Sequence, residues 1–346
     1  MPNGLTTRRA LRTRLPMIAT ALTLVTALSS CSLLGGEDDP AESSSGGDKG
    51  LEKTTITVSI MKTTDLAPLH LAMQEGYFED EGLTIKTVDA KSGGESTQKL
   101  VAGEVDIAYS SYTPFFGAED KGAAKALGGI KLVADASSAG PGSCVVVALP
   151  NSPVKSVQDL AGKRVAVTAT GTISDLLVNS TLKTNGVDYQ SIQWVATPFP
   201  ATADAIKNGL VDAAFATEPF ITATERNAGA VPVFDTATGP TEDMPTAGYA
   251  STGNFTKENP KTIAAFQRAM QRGTELALSD RGLVEPLLVK FSGVDEQTAK
   301  MATLLTFQSK LDATRIQRVP DLMKEFGVLN TAIDVSKMMI PTAPVS

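Results

Sequence analysis

The 346-residue sequence predicts an α/β fold built from two similar domains, and three observations support this prediction. One phrase is written twice, as GEVDIAYSSYTPF at Gly103–Phe115 and as GLVDAAFATEPF at Gly209–Phe220. The same order of strand and helix patterns precedes both copies. The length also exceeds what a single hydrophobic core usually holds. Alternation of strands with helices indicates mainly parallel sheets with helices on their faces.

Each half of the chain begins with a β-rich run, a Thr-rich turn and helical periodicity, at Ile56–Met73 and at Arg164–Leu182. A strand and then a helix follow in both halves, at Glu81–Ala90 and Gly94–Gly103, and at Asn185–Thr197 and Ala201–Gly209. The repeated phrase then supplies the next strand. Because each copy opens with a Gly-x-Val-Asp turn, we expect Asp106 and Asp212 to bind turn amides rather than to take part in chemistry.

The C-terminal part contains three segments with helical patterns. Pro260–Leu278 and Arg318–Leu329 are amphipathic, and Thr303–Asp312 has a helical pattern without any residue of obvious chemical use. We expect all three to be helices that complete the fold.

The N-terminus has the features of a bacterial lipoprotein signal peptide. Arginines precede an apolar run at Leu15–Leu28 that is too short to span a bilayer. The run ends in Leu-Ser-Ser-Cys, which resembles a lipobox, so we expect residues 1–30 to be removed and Cys31 to be lipidated. Thr7–Arg12 also resembles a twin-arginine signal, which leaves the export route open. Residues 31–53, rich in Gly, Ser and acids, are expected to form a disordered tether.

Composition argues against several classes of function. The formal net charge of −7 disfavours a general affinity for nucleic acid or anionic lipid. One histidine, His70, and one cysteine besides Cys31, Cys144, cannot build a zinc site of the common kinds. We expect His70, on a helix that packs against the sheet, to be a neutral imidazole that is packed or partly exposed, and Cys144 to be a buried thiol. The chain is therefore expected to be a binding protein without a cofactor or metal, and not an enzyme.

The candidate ligand site lies in loops that follow predicted strands. Ligands of open α/β sheets gather at the carboxyl ends of strands, and helices that begin there would turn free amides toward the same cleft. Capping explains any single hydroxyl, but several such loops indicate a polar ligand between two domains. The candidate residues are Thr63, Thr64, Asp65, Ser92, Gly93, Gly94, Ser110, Ser111, Tyr112, Thr170, Gly171, Thr172, Glu218, Phe220 and Tyr249. Of these, Thr64, Ser111 and Thr172 are expected in one cleft.

Four features resemble the substrate-binding proteins of ABC importers, in the subgroup that carries aliphatic sulfonates, taurine, nitrate or pyrimidine precursors of thiamine. They are APLHLAMQEGYFEDEGL at Ala67–Leu83, LAGKRVAVTATGT at Leu160–Thr172, the repeated phrase, and EPF at Glu218–Phe220. Their order and spacing carry the resemblance, which extends over about Thr54–Leu329.

The resemblance implies a type II periplasmic-binding fold, in which two α/β lobes joined by crossover strands close over a solute. The implied ranges are 54–140 plus 245–346 for lobe 1 and 141–244 for lobe 2. The crossings would lie near Ser137–Cys144 and Pro240–Thr252, which are rich in Gly, Pro and small residues. The resemblance also implies ABC permease and ATPase subunits as partners. We expect a monomer, anchored through the lipid on Cys31 at the extracytoplasmic face of the cell membrane.

Alternatives to solute delivery stay open at this point. A tethered sensor that presents its ligand to a membrane receptor would use the same closure. A pyrimidine synthase of thiamine biosynthesis shares the fold family, but it uses a cysteine cluster and its own histidine, and this sequence has no such cluster.

The charge of the solute also stays open. Small hydroxyls and helix N-terminal amides favour a sulfonate, nitrate or carboxylate. Asp65 and Glu218 instead favour an amine or an aminopyrimidine-like ring, although Lys62 is placed to neutralise Asp65. Aromatic residues near the loops are candidates for a flat-ring clamp. They are Tyr112, Phe115, Phe220 and Tyr249.

Overall fold

The structure, a computed structural model, describes residues 50–344. The predicted signal peptide, the lipidation site Cys31 and the tether up to residue 49 lie outside the described residues. Within the described range no helix is both long enough and apolar enough to cross a membrane.

Two β-sheets organise the described chain. Sheet 1 has the strand order β11-β4-β10-β3-β1-β2, and sheet 2 has the order β7-β6-β8-β5-β9. The strands are β1 (Thr55–Ile60), β2 (Thr84–Asp89), β3 (Ile107–Ser111), β4 (Ile130–Ser138), β5 (Cys144–Ala148), β6 (Arg164–Val167), β7 (Gln193–Ala196), β8 (Ala213–Thr217), β9 (Val231–Asp235), β10 (Pro245–Thr252) and β11 (Thr306–Phe307).

The two sheets share one arrangement of strands, and the repeated phrase forms the same strand in each of them. In sheet 1, β1 is parallel to β2 and β3, and in sheet 2, β6 is parallel to β7 and β8. The first copy of the phrase forms β3 and the second forms β8. Each parallel core is then flanked by antiparallel strands, β10 and β4 in sheet 1 and β5 and β9 in sheet 2. The parallel cores confirm the prediction, whereas the antiparallel flanks were not part of it.

The chain passes from sheet 1 to sheet 2 between β4 and β5, and it returns between β9 and β10. We call the part organised around sheet 1 lobe 1 and the part around sheet 2 lobe 2. The residue boundaries given for the lobes remain a prediction.

Helices cover the sheets and extend lobe 1 at the C-terminal side. They are α1 (Ala67–Gln74), α2 (Tyr77–Asp80), α3 (Gly93–Val101), α4 (Tyr112–Asp120), α5 (Ile173–Thr184), α6 (Thr202–Lys207), α7 (Phe220–Ala228), α8 (Gly253–Glu258), α9 (Pro260–Ser279), α10 (Arg281–Ser292), α11 (Glu296–Met301) and α12 (Ala313–Glu325).

Two of the three C-terminal helices follow the prediction and one does not. The helices predicted at Pro260–Leu278 and Arg318–Leu329 correspond to α9 and α12. The helix predicted at Thr303–Asp312 is wrong, because this segment is irregular and contributes the short strand β11 to the edge of sheet 1. Thr306 pairs there with Ser138 of β4, and tertiary pairing of this kind overrides a short helical pattern.

The two aspartates of the repeated phrase have a structural role, as predicted, but the amides that they bind belong to neighbouring strands and not to a turn. The carboxylate of Asp106 accepts a hydrogen bond from the backbone N–H of Thr57 at 2.9 Å. In lobe 2, Asp212 accepts from the backbone N–H of Arg164 at 2.9 Å and pairs with its guanidinium at 2.7 Å. Each aspartate therefore ties the start of the central parallel strand to the phrase that forms its neighbour.

The last residues of the predicted tether are part of the folded body. The carboxylate of Glu52 accepts from the backbone N–H groups of Lys261 and Thr262, at 3.1 and 3.0 Å. These N–H groups lie in the first turn of α9, where helices have unpaired donors. The ammonium nitrogen of Lys53 lies 2.7 Å from the carboxylate oxygen Oδ1 of Asp106. The disorder predicted for residues 31–53 is therefore wrong for Glu52 and Lys53.

Helix α1 packs closely on α9 and α10. A Cβ atom on Gly273 of α9 would lie 2.3 Å from the backbone oxygen of Pro68, so only glycine permits this approach. The ring of His70 stacks on Phe291 of α10, with centroids 4.1 Å apart and planes inclined by 13°. The expectation of a packed imidazole is confirmed, although the ring packs against a neighbouring helix and not against the sheet.

Candidate ligand-binding site

A cleft between the two sheets is lined by residues of both lobes. Lobe 1 lines it with Met61, Thr63, Asp65, Gly93, Tyr109, Ser111, Thr246, Ala247 and Leu305, and lobe 2 lines it with Cys144, Thr168, Thr172, Ile173, Ser174, Phe199, Phe215 and Thr217. Its position at the carboxyl ends of β3, β6 and β8 is where open α/β sheets bind ligands.

Helices α3 and α5 begin at the edge of the cleft. Ser92 caps α3 by accepting from the backbone N–H of Glu95 at 3.1 Å. At the next residue, a Cβ on Gly93 would lie 2.5 Å from the hydroxyl of Ser110, so glycine lets α3 approach β3. In lobe 2, Thr172 and Asp175 form a reciprocal capping box at the start of α5.

Asp65 is the one charged side chain among the described residues that line the cleft. Only 2% of the residue is exposed to solvent. Its Oδ2 accepts from the phenol of Tyr109 at 2.6 Å and from the hydroxyl of Ser137 at 2.8 Å. Its Oδ1 has no hydrogen-bond partner among the described residues. Burial, and then the carboxylate of Asp65, raise the pKa of Tyr109 well above its ordinary value, so this phenol remains a donor.

The structure brings some of the candidate residues to the cleft and places others outside its lining. Those that line the cleft are Thr63, Asp65, Gly93, Ser111 and Thr172. Those that do not are Thr64, Ser92, Gly94, Ser110, Tyr112, Thr170, Gly171, Glu218, Phe220 and Tyr249. Of the three residues expected in one cleft, Ser111 and Thr172 line it and Thr64 does not.

Several of the residues outside the cleft lining have partners inside the protein. The hydroxyl of Ser110 donates to the backbone oxygen of Gly93 at 3.0 Å. The phenol of Tyr112 donates to Asp135 at 2.7 Å. Tyr249 is fully buried, with its ring 5.5 Å from that of Tyr109. These side chains support the cleft wall and do not form the flat-ring clamp expected from the sequence.

Glu218 joins the two lobes instead of lining the cleft. Its Oε1 accepts from the backbone N–H of Thr303 at 3.1 Å, and its Oε2 accepts from that of Thr222 at 3.1 Å. Its backbone oxygen accepts from the N–H of Thr64 in lobe 1 at 3.1 Å. Burial raises the pKa of Glu218, although these hydrogen bonds oppose the shift. Phe220 stacks on Phe199, a residue that does line the cleft, with centroids 5.6 Å apart.

The expected counter-ion of Asp65 is elsewhere. The ammonium of Lys62 lies 4.0 Å from Asp89, and no cation pairs with Asp65 in the part of the chain that the structure describes.

Sequence reasoning missed several cleft residues. Tyr109 and Phe215 occupy the same position in the two copies of the repeated phrase, so their strand alternation was a usable signal. Leu305 lies in the segment that was predicted as a helix, so no signal pointed to it. Cys144 lines the cleft, and burial raises the pKa of its thiol to about 12.

Residues 63–281 match a family model described as NMT1/THI5 like, which covers more than half of the chain. The chain belongs to the NMT1/THI5-like family. Among curated relatives, a Bacillus subtilis protein provisionally named an aliphatic sulfonates-binding protein is 25% identical over 238 residues, which are 67% of each chain. A Brachyspira hyodysenteriae protein provisionally named an ABC transporter periplasmic binding protein is 29% identical over 216 residues, or 58% of each chain.

Solved structures show the fold of this NMT1/THI5-like chain. The periplasmic aliphatic sulphonate binding protein SsuA of Escherichia coli has a TM-score of 0.66 at 21% identity, covering 83% of this chain and 97% of SsuA. The periplasmic nitrate-binding protein NrtA of Synechocystis has a TM-score of 0.70 at 16% identity, covering 84% and 86%. The predicted two-lobed periplasmic-binding fold is confirmed.

Proposed function

We propose that this chain is an extracytoplasmic solute-binding lipoprotein that captures one small polar solute and delivers it to an ABC importer. The observation that carries the proposal is the composition of the cleft, which is lined by small hydroxyl side chains from both lobes. Thr63 and Ser111 come from lobe 1, and Thr168, Thr172 and Thr217 come from lobe 2. The names of the relatives, which are binding proteins of this transport class, support the same function.

Binding is proposed to favour the closed arrangement of the two lobes. A ligand shifts a conformational equilibrium only by its difference in affinity for the two states. A solute between the lobes meets this condition, because it contacts both walls only when the cleft is closed. The hydrogen bond from Thr64 in lobe 1 to Glu218 in lobe 2 is one contact that closure would form or preserve.

The test combines thermal stability with solution scattering on the full chain purified in detergent. Sulfonates, nitrate, amino acids and aminopyrimidines are screened for an increase in melting temperature. A solute that raises it should also reduce the distance between the lobes measured by X-ray scattering, with the detergent contribution matched out. Stabilisation without any change in scattering would refute closure.

A matched pair of variants tests whether the cleft is the site. Thr168 lines the cleft, so Thr168→Phe should fill the space and abolish stabilisation by solute. Thr170 lies two residues further along the same loop, is exposed and does not line the cleft. Thr170→Phe should bind as wild type does. Equal solute binding by the two variants would show that the site lies elsewhere.

The proposed anchor is the lipid on Cys31. Growth with a labelled fatty acid should label the wild-type chain and leave Cys31→Ser unlabelled. Co-purification with a permease and an ATPase would support delivery, whereas recovery with a receptor ectodomain would favour a sensor.

A further inference from the structure

The hydrogen-bond directions around Asp65 define what the lobe 1 wall offers to a solute, and this inference rests on the proposed function. A hydroxyl group has one hydrogen to donate. The hydroxyl of Ser137 and the phenol of Tyr109 both give theirs to Asp65. Ser137 also lies 2.6 Å from the hydroxyl of Thr246, and Tyr109 lies 3.2 Å from that of Thr63. In these two contacts, Thr246 and Thr63 must therefore be the donors.

Because these hydroxyl hydrogens are already used, three oxygen atoms on the lobe 1 wall remain as acceptors for a solute. Thr63 and Thr246 line the cleft, but their hydrogens are committed to Tyr109 and Ser137. Asp65 lines the cleft too, and its Oδ1 is buried without a partner among the described residues. A group that enters this part of the cleft consequently meets oxygen atoms that can accept hydrogen bonds and cannot donate them.

Two hydroxyls on the opposite wall are committed in the same way. Thr172 donates to the backbone oxygen of Ala169 at 2.9 Å, and Thr217 donates to that of Ser143 at 2.9 Å. Among the described residues that line the cleft, no lysine, arginine or histidine supplies a positive charge. A sulfonate or nitrate, which only accepts hydrogen bonds, would face the uncompensated carboxylate of Asp65.

We propose that the lobe 1 wall binds a nitrogen group that carries several N–H donors, such as an ammonium or an amidinium. Its N–H groups would donate to Oδ1 of Asp65 and to the hydroxyl oxygens of Thr63 and Thr246. The apolar part of the solute would lie against Phe199 and Phe215, which line the same cleft. The solute thus differs in charge from the sulfonate and nitrate ligands named for the related proteins.

Probes matched in carbon skeleton test this assignment on the full chain in detergent. Butylamine and benzylamine are compared with butanesulfonate and phenylmethanesulfonate, and with nitrate, at millimolar concentration. The amines should raise the melting temperature of the wild-type chain, and the anions should not.

Asp65→Asn tests the residue itself. The amide oxygen of the variant can still accept from Tyr109 and Ser137. In that orientation the amide NH₂ group takes the place of Oδ1 at the cleft. Amine affinity should fall by about 30-fold or more, because a buried charge pair is lost. Asp204→Asn makes the same change of net charge at an exposed residue of α6 and should bind amines as wild type does.

If Asp65→Asn fails to fold, Thr63→Val removes one of the three acceptors with little change of shape and should weaken the amines alone. Stabilisation by the sulfonates or nitrate, with no response to the amines, overturns this inference and leaves the proposed function intact. Equal amine binding by wild type and Asp65→Asn also overturns it. No response to any probe of either charge counts against the proposed function as well.

Discussion

Replacement of His70 gives a prediction whose size follows from the structure. The imidazole is stacked on Phe291, and its Nε2 is buried without a partner among the described residues. Burial, and then the charge of Lys290, lower the pKa of His70 from 6.5 to about 4. The folded protein therefore holds a neutral ring over a pH range in which the unfolded chain takes up a proton.

The sign and size of the effect on stability follow from this difference. The unfolded chain binds the additional proton as the pH falls below 6.5, so the stabilisation is complete above that pH and is lost as the pH approaches about 4. Each tenfold change in proton affinity corresponds to about 1.4 kcal/mol, so His70 should contribute about 3 kcal/mol to the pH dependence of the unfolding free energy.

The assay compares wild type with His70→Phe, which keeps an aromatic ring next to Phe291 and cannot titrate. Urea unfolding is followed by circular dichroism at pH values between about 7 and about 4, on chains without a histidine tag. Fluorescence of Trp194, the one tryptophan in the sequence, gives an independent probe of whether unfolding is two-state. The pH dependence should be smaller in the variant by about 3 kcal/mol.

Because both chains carry the same carboxylates, their titration cancels in the comparison. His70 is the only histidine, so no second imidazole can mask the difference. Parallel pH profiles for the two chains would refute the conclusion that the buried ring is neutral in the folded state.

Two further predictions concern packing and the contact between lobes. Gly273→Ala should lower the free energy of unfolding by about 1–3 kcal/mol, because the new Cβ would overlap α1. The control is Gly117→Ala in α4, where an added Cβ would have no neighbouring atom within 4 Å, and it should raise the free energy of unfolding by about 0.5–1 kcal/mol. Equal effects of the two substitutions in urea unfolding would contradict the packing argument. Glu218→Ala removes the acceptors for two backbone N–H groups, so it should destabilise the chain by about 2–4 kcal/mol. The preference for amine over sulfonate probes should persist, and its reversal would place Glu218 in the site.

The repeated phrase made the parallel cores of both sheets predictable. Its two copies share Gly-x-Val-Asp and an aromatic residue. The shared aspartates, Asp106 and Asp212, bind neighbouring strands by hydrogen bonds, and the shared aromatic residues, Tyr109 and Phe215, line the cleft. The antiparallel strands were not predictable in the same way. A strand pattern shows which face is buried, but it does not identify the neighbouring strand or its direction. The error at Thr303–Asp312 has a different origin, because pairing with β4 overrides a short helical pattern there.

The loops of the site were predictable, but the particular side chains that face the cleft were not. Successive residues in extended chain point to opposite sides, so one step in sequence moves a side chain from the ligand to the core. Ser111 lines the cleft, while Ser110 before it and Tyr112 after it bind inside the protein. The direction in which each hydroxyl donates depends on partners far away in sequence, as for Asp65 and Ser137.

The attachment of Glu52 and Lys53 determines where a pull from the preceding residues would act. Glu52 holds the start of α9, and Lys53 reaches Asp106 ahead of β3, so tension would be borne by the half of the body that contains sheet 1. The half that contains sheet 2 is connected to it through the two crossings and through contacts between the lobes. Closure of the proposed kind would therefore move the half that contains sheet 2 about the crossings and leave the contacts of Glu52 and Lys53 in place.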